Sequence, residues 1–171
     1  MSASSTFPRP DLRRIGEQAL SEVLDTLLSL SLNEATPAAS AGDGSKADYL
    51  VGTVDLVGDR LSGDVRLQLP EAFARLAARR LVGGHAAAEP LADANAADLA
   101  GELCNMVAGR VAARLRRDGY PAELSPPRVV RAPRDPRDPS EPARGDERRR
   151  TCWLCEGHLI TLEIQCRHQP P

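Results

Sequence analysis

A carboxylate and a carboxamide stand three residues apart in the segment DLAGELCNMVAG, which spans residues 98–109. A carboxamide oxygen accepts a hydrogen bond from water while its nitrogen donates to an anionic oxygen, and neither atom has to titrate. Glu102 and Asn105 are therefore candidate functional residues, one an anion and the other a neutral hydrogen-bond donor and acceptor. On a helix, spacings of four, three and four place residues on one face. The face defined in this way, called the polar ridge below, consists of Asp98, Glu102, Asn105 and Gly109.

Two residues of the polar ridge are unfavourable inside a helix. Asparagine competes for backbone hydrogen bonds, and glycine costs about 1 kcal/mol relative to alanine. Because Asn105 and Gly109 lie on the same ridge, they indicate close approach of another surface. The alternative is an ordinary solvated face, since an exposed glutamate such as Glu102 favours helix formation.

The cysteines suggest a second chemistry. The segment CWLC at residues 152–155 precedes Cys166 and His168, a set that could bind zinc in an interaction protein. However, residues 152–155 have the pattern of a strand, in which residues three apart point to opposite faces. We therefore expect no metal site, and we expect the four cysteines of the chain to be reduced thiols that pack as small hydrophobic groups.

Composition excludes several other classes. The net charge is −2, aromatic residues make up only 3% of the chain, and acidic residues stand close to the basic run Arg148–Arg150, which argues against nucleic-acid binding. No glycine-rich phosphate loop follows a strand, and the three histidines are scattered. The start of the chain has no apolar segment and no run of 18 apolar residues occurs, so we expect a cytoplasmic protein without membrane attachment.

Hydrophobic periodicity predicts an α+β domain over residues 8–171. The order of helix, hairpin, two helices, strand and hairpin favours one antiparallel sheet with its helices packed on one face. The predicted helices are 10–30, 70–82 and 93–117, the predicted hairpins are 49–69 and 152–167, and a short strand covers 127–131.

Two segments have the composition of loops. Residues 34–47 are rich in small and polar residues, which predicts a flexible connection. Residues 132–150, APRDPRDPSEPARGDERRR, lack large apolar side chains and contain a proline at every third position from Pro133 to Pro142. This composition predicts a disordered loop between neighbouring strands.

The helix that carries the polar ridge resembles the signature helix of the CheX/CheC/FliY chemotaxis phosphatases. The family pattern is an acidic residue or serine, then glutamate, asparagine and a later proline. Here the pattern is Asp98, Glu102, Asn105 and, after 21 intervening residues, Pro127. The segments LSPPRVV and YLVGTVDLVGDRLSGDVRLQLPEAFARLAARRLVGG are also similar to that family, so the resemblance extends over residues 10–131 and 151–167.

The resemblance implies a pseudo-symmetric CheC/CheX-like fold and a phosphatase that acts on a phosphorylated CheY-like response regulator. In that role Asn105 would orient the attacking water, and Glu102 would pair with a lysine of the regulator, whose own Mg²⁺ neutralises the phosphoryl group. Asp98 and Gly109 would contribute to docking. The chain is most similar to CheX, which implies a homodimer, and the segment EAFARLAARRLVGG lacks a second Glu/Asn pair. The alternative is a non-catalytic binding module or scaffold with the same fold.

Overall fold

A computed structural model of the chain describes residues 9–35, 48–81, 89–133 and 146–169. These residues form three helices and seven strands. The helices are α1 (Leu12–Leu28), α2 (Glu71–Leu81) and α3 (Glu89–Arg117). The strands are β1 (Asn33–Glu34), β2 (Asp48–Val57), β3 (Leu61–Pro70), β4 (Glu123–Leu124), β5 (Arg128–Pro133), β6 (Asp146–Cys155) and β7 (His158–His168).

Local signals explain where helices begin and end. The carboxylate of Asp11 accepts a hydrogen bond from the backbone N–H of Arg14 at 3.1 Å, which caps the first turn of α1. The helix ends at Ser29, which has a left-handed backbone conformation (φ 51°). The three predicted helices are confirmed, although α3 begins four residues earlier than predicted, at Glu89.

All strands belong to one sheet, in which every pairing is antiparallel. The strand order is β1-β6-β7-β3-β2-β4, and β5 also pairs with β2. The pairing of β3 with β7 forms the centre of the sheet. The predicted antiparallel α+β architecture is therefore confirmed.

The helices pack on one face of the sheet. Helix α3 lies against β2 and β3, α2 lies against α3 and the same two strands, and α1 lies against β6, β7 and α3. Leu50, Val54 and Leu56 of β2 are buried on this face, whereas the alternate residues Val51 and Thr53 are only half-buried. The buried apolar residues form one hydrophobic core, whose members lie between Leu12 and Cys166 in the sequence. None of the described helices is long and apolar enough to cross a bilayer.

The final hairpin begins earlier than predicted, so the loop boundaries 132–150 were wrong at both ends. Strand β5 continues to Pro133, and β6 begins at Asp146. The arginine-rich run fits into the sheet because the face away from the helices accepts charged side chains. There Arg148 donates to Glu163 at 2.7 Å, and their side chains are only 13% and 9% exposed. Residues 134–145, residues 36–47 of the predicted first connection, and Gly83 and Gly84 lie outside the described residues.

Strands β6 and β7 form this hairpin, with a two-residue turn between them. Trp153 pairs with Ile160 and Cys155 with His158, so Trp153 and Cys155 lie on the buried face. The connecting residues Glu156 (φ 50°) and Gly157 (φ 76°) both have positive φ. Two consecutive left-handed residues match the twist of a tight antiparallel hairpin.

Candidate functional site

The polar ridge lies on the side of α3 that faces away from the sheet. Asp98 and Glu102 are exposed, whereas Asn105 and Gly109 are half-buried. The opposite side of the helix provides the reason for this orientation, because it carries residues that are almost completely buried. These are Ala96, Ala100, Leu103, Cys104, Val107, Ala108, Val111 and Leu115.

The side chains at the centre of the ridge are unengaged. Within the part of the chain that the structure describes, neither the Glu102 carboxylate nor the Asn105 carboxamide makes a hydrogen bond or an ion pair. A half-buried carboxamide normally finds a partner in the protein or in water. The Asn105 amide is therefore available to a molecule that approaches α3 from outside.

Gly109 has open space where a side chain would be. Apart from its chain neighbours and the nearby backbone of α3, no described atom lies within 4 Å of the position that a Cβ would occupy. Packing inside the described chain therefore gives no reason for glycine at this position. The space would admit the surface of another molecule.

The buried stripe of α3 has small residues at its centre. These are Ala100, Cys104 and Ala108. The larger residues Leu99 and Met106 are half-buried at its border. Small side chains let the helix lie close to the sheet. Gly52 of β2 makes such a close contact with Ala100 and Cys104. The sequence-based prediction did not include Gly52, although a glycine inside a strand often marks a close backbone approach.

Ion pairs connect the regions on both sides of the ridge, its two flanks, to neighbouring elements. On one flank, Glu22 of α1 accepts from Arg114 at 2.8 Å and pairs with Arg110 at 3.1 Å. The hydrogen bond from Arg114 lowers the pKa of Glu22, while partial desolvation opposes the shift. These contacts join α1 to the half of α3 that follows Asn105.

The other flank is the segment between α3 and β5. Asp55 accepts two hydrogen bonds from the guanidinium of Arg128, at 2.8 and 2.9 Å, and these bonds lower the pKa of its carboxyl group. The backbone N–H of Asp55 donates to the Ser125 hydroxyl at 2.9 Å. The segment that contains Pro127 is thereby fixed to β2, and the Pro127 ring lies 4.0 Å from the Cβ position of Gly101.

The ridge lies outside the four cavities described for this chain. Their volumes are about 620, 220, 180 and 340 Å³, and Glu102 and Asn105 line none of them. The largest of the four follows α1 from Arg14 to Asp25 and includes Arg114. A ridge outside these cavities is suited to a macromolecular partner, because small ligands bind mainly in clefts.

The structure keeps the cysteines apart. Cys152 is half-buried on the face away from the helices, where its sulfur lies 3.4 Å from the Thr161 hydroxyl, whereas Cys155 is buried on the helix side. Residues 152–155 are therefore a strand, as predicted. Among the described residues, no three His, Cys, Asp or Glu side chains gather in a way that could hold a metal ion.

The family assignment comes from the sequence of the central part of the chain. The family model described as "Chemotaxis phosphatase CheX" matches residues 50–136, just over half of the chain. The chain belongs to this CheX family. The match begins inside β2, extends beyond the end of β5 and includes the whole polar ridge. No protein with a curated description matches the chain.

Solved structures of chemotaxis proteins have the same fold as this CheX-family chain. The chemotaxis protein CheX from Vibrio vulnificus is 19% identical with a TM-score of 0.71, and the match covers 94% of this chain and 99% of that one. A CheC-like superfamily protein from Shewanella sp. PV-4 is 21% identical with a TM-score of 0.69, at the same coverage. A match from Borrelia burgdorferi is a CheX–CheY–BeF₃–Mg²⁺ complex, 19% identical with a TM-score of 0.62, covering 93% of this chain and 99% of that one.

Proposed function

We propose that this chain hydrolyses the aspartyl phosphate of a phosphorylated CheY-like response regulator. The observation that carries the proposal is an exposed glutamate and an unengaged asparagine on one ridge of a helix, in a chain of the CheX family. The similar structure from Borrelia burgdorferi, a CheX–CheY complex, supports the choice of partner.

Hydrolysis of an aspartyl phosphate requires few catalytic groups from the phosphatase. Water attacks phosphorus, the bond from phosphorus to the aspartyl oxygen breaks, and inorganic phosphate and a free carboxylate result. The leaving carboxylate has an ordinary pKa near ~4, so its departure needs no acid. In the regulator, Mg²⁺ and a lysine would neutralise the phosphoryl oxygens, which leaves the position of the attacking water as the main task.

Asn105 is suited to that task. Its carboxamide oxygen would accept a hydrogen bond from the water, and its nitrogen would donate to a phosphoryl oxygen. Because no group on the ridge has to gain or lose a proton, the function requires no shifted pKa at the site. Glu102, one turn earlier on the same face, would pair with the regulator's lysine and hold the two proteins in register. Asp98 and Gly109 would lie at the border of the contact.

The test is phosphate release from a phosphorylated regulator with Mg²⁺ present. Asn105→Ala should slow the accelerated release on the order of 10²-fold, about 3 kcal/mol, because the attacking water loses its orienting group. Glu102→Ala should mainly raise the concentration of regulator needed for half-maximal rate. Asn33→Ala is the matched control, since it removes an exposed carboxamide from β1 at the edge of the sheet.

The alternative function, a binding module or scaffold, makes a different prediction for the same variants. A module of that kind would bind the regulator equally well with Asn105 or alanine and would accelerate release in neither case. Equal binding without turnover, with a regulator verified as cognate, would reject the phosphatase proposal. The homodimer that the family resemblance implies and the cytoplasmic location expected from the lack of apolar segments also remain proposals.

A further inference from the structure

The turn of α3 that carries Glu102 and Asn105 lies in close contact with the sheet at a glycine of β2. A Cβ on Gly52 of β2 would lie 2.6 Å from the Cβ and 3.1 Å from the sulfur of Cys104, and 3.3 Å from the carbonyl oxygen of Ala100. Real Cβ atoms essentially never come closer than 3.0 Å to such neighbours, so any residue other than glycine at position 52 would push this turn away from the sheet.

A second glycine makes the reciprocal contact from the helix. A Cβ on Gly101 would lie 3.2 Å from a methyl group of Val129 in β5. Gly101 precedes Glu102 in the chain, and Cys104 precedes Asn105. The two contacts therefore hold the buried side of this turn, one against β2 and the other against β5. The outer side of the same turn carries the ridge residues.

We propose that Gly52 and Gly101 are positioning residues, which set the height and rotation of the turn 101–105 and so aim Glu102 and Asn105 at the partner. This inference rests on the proposed phosphatase function. Cys104 contributes as a spacer of fixed size: it is fully buried, and its sulfur lies 3.8 Å from the backbone oxygen of Val65. A catalytic side chain that is misplaced by about 1 Å can lose up to ~10²-fold in rate, so a small shift of this turn is enough to matter.

The principal variant is Gly52→Ala, compared with Gly16→Ala. Gly16 makes a similar close contact under α1, where an added Cβ would meet methyl groups of Leu162 and Ile164 at 3.0 and 3.1 Å, but α1 does not carry the ridge. With phosphate release expressed per folded molecule, Gly52→Ala should lose roughly tenfold and Gly16→Ala less than about twofold. Equal losses in the two variants would overturn the inference, because they would reflect general damage to the fold.

Relief of the contact provides a second criterion. Cys104→Gly removes both atoms that an alanine at position 52 would meet most closely, so Gly52→Ala/Cys104→Gly should recover most of the lost rate.

Gly101→Ala is the substitute variant if Gly52→Ala does not fold, because the added Cβ meets only a single methyl group of Val129 closely. It should lose roughly threefold, and Gly101→Ala/Val129→Ala should restore the rate. If the double variant that folds does not recover the rate of phosphate release, the inference is contradicted.

A measurement without the regulator separates this inference from the proposed function. In the NMR spectrum of the free protein, the side-chain amide of Asn105 should shift in Gly52→Ala or Gly101→Ala and remain unchanged in Gly16→Ala. An unchanged Asn105 signal in both Gly52→Ala and Gly101→Ala would overturn the positioning role. If wild-type protein accelerates no phosphate release, the proposed function fails, and the Asn105 signal still decides whether the two glycines position the turn.

Discussion

At the scale of single residues, the polar ridge combines groups that the fold does not need. Glu102 and Asn105 have no partners in the described chain, and a side chain at Gly109 would meet no described atom within 4 Å of its Cβ. Residues that do not contribute to packing are free to serve an external molecule. Their roles toward a regulator remain predictions, because the unbound structure gives only their placement.

Gly109 offers a way to separate the stability of the helix from docking. Gly109→Ala should raise the free energy of unfolding by about 1 kcal/mol, because alanine is the better helix former and open space surrounds the site. Gly109→Phe should also fold, but its ring would occupy the surface predicted to receive the regulator. Urea titration measures the first effect, and the half-saturating regulator concentration measures the second. Unchanged half-saturation in Gly109→Phe would mean that the partner does not reach this position.

At the scale of elements, sequence patterns predicted the helices and the main hairpins well. The repeated apolar positions of α1 and the alternation of Val65, Leu67 and Leu69 in β3 report directly on which side is buried. The first half of β6 escaped prediction because Arg148 and Arg150 lie on the face away from the helices, where Glu163 of β7 pairs with Arg148. Composition alone cannot reveal such a partner.

The turn of the final hairpin gives a prediction for stability. Glu156 has a left-handed backbone conformation (φ 50°), which is unfavourable for glutamate and better tolerated by asparagine. Glu156→Asn should therefore stabilise the protein by roughly 0.5 kcal/mol, since its exposed ion pair with Arg80, at 3.4 Å, contributes little.

Gly157→Ala is the opposite control for this turn. Gly157 has φ 76°, and alanine at that position should destabilise the protein by roughly 1 kcal/mol. Chemical denaturation of both variants tests the pair of predictions. A loss of stability in Glu156→Asn would show that the contact with Arg80 matters more than backbone strain.

At the scale of the whole molecule, one core joins all three helices to the sheet, and buried thiols are part of it. Burial raises the pKa of Cys104 to about 12, against a weaker opposing effect of a backbone hydrogen bond from Leu67. Burial also raises the pKa of Cys166 to about 12, with further contributions from the carboxylates of Glu147 and Asp64. Both thiols therefore remain protonated in the folded protein at pH values where the unfolded chain ionises.

This difference predicts a loss of stability in alkali. Because the folded pKa of each thiol lies above its ordinary value of 9.0, the stabilising effect is complete below pH 9 and is lost as the pH rises toward 12. Between pH 9 and 10 the free energy of unfolding should fall by roughly 1 kcal/mol for each thiol. In Cys104→Ala or Cys166→Ala the decline over this interval should be smaller by roughly 1 kcal/mol, because one of the contributing thiols is absent. If the free energy of unfolding falls equally with pH in the wild type and in both variants, the assignment of raised pKa values to these thiols is wrong.

The sequence was least informative where structure depends on distant contacts. The strands β1 and β4 have two residues each, and they exist only because Asn33 meets Leu154 and Leu124 meets Leu56. The close approach at Gly52 likewise depends on where α3 crosses β2. The ridge, in contrast, could be predicted, because four residues at helical spacing define a face without knowledge of any neighbour.

The placement of the ridge outside the core has a consequence for how such proteins can diverge. The amide of Asn105 contributes nothing visible to the described interior, so one substitution can remove it while the chain still folds and still presents the rest of the ridge. Under the proposed function, a gene copy altered in this way would encode a competitor that occupies the regulator and shields its phosphoryl group. The same scaffold would then shorten a signal or prolong it, depending on a single side chain.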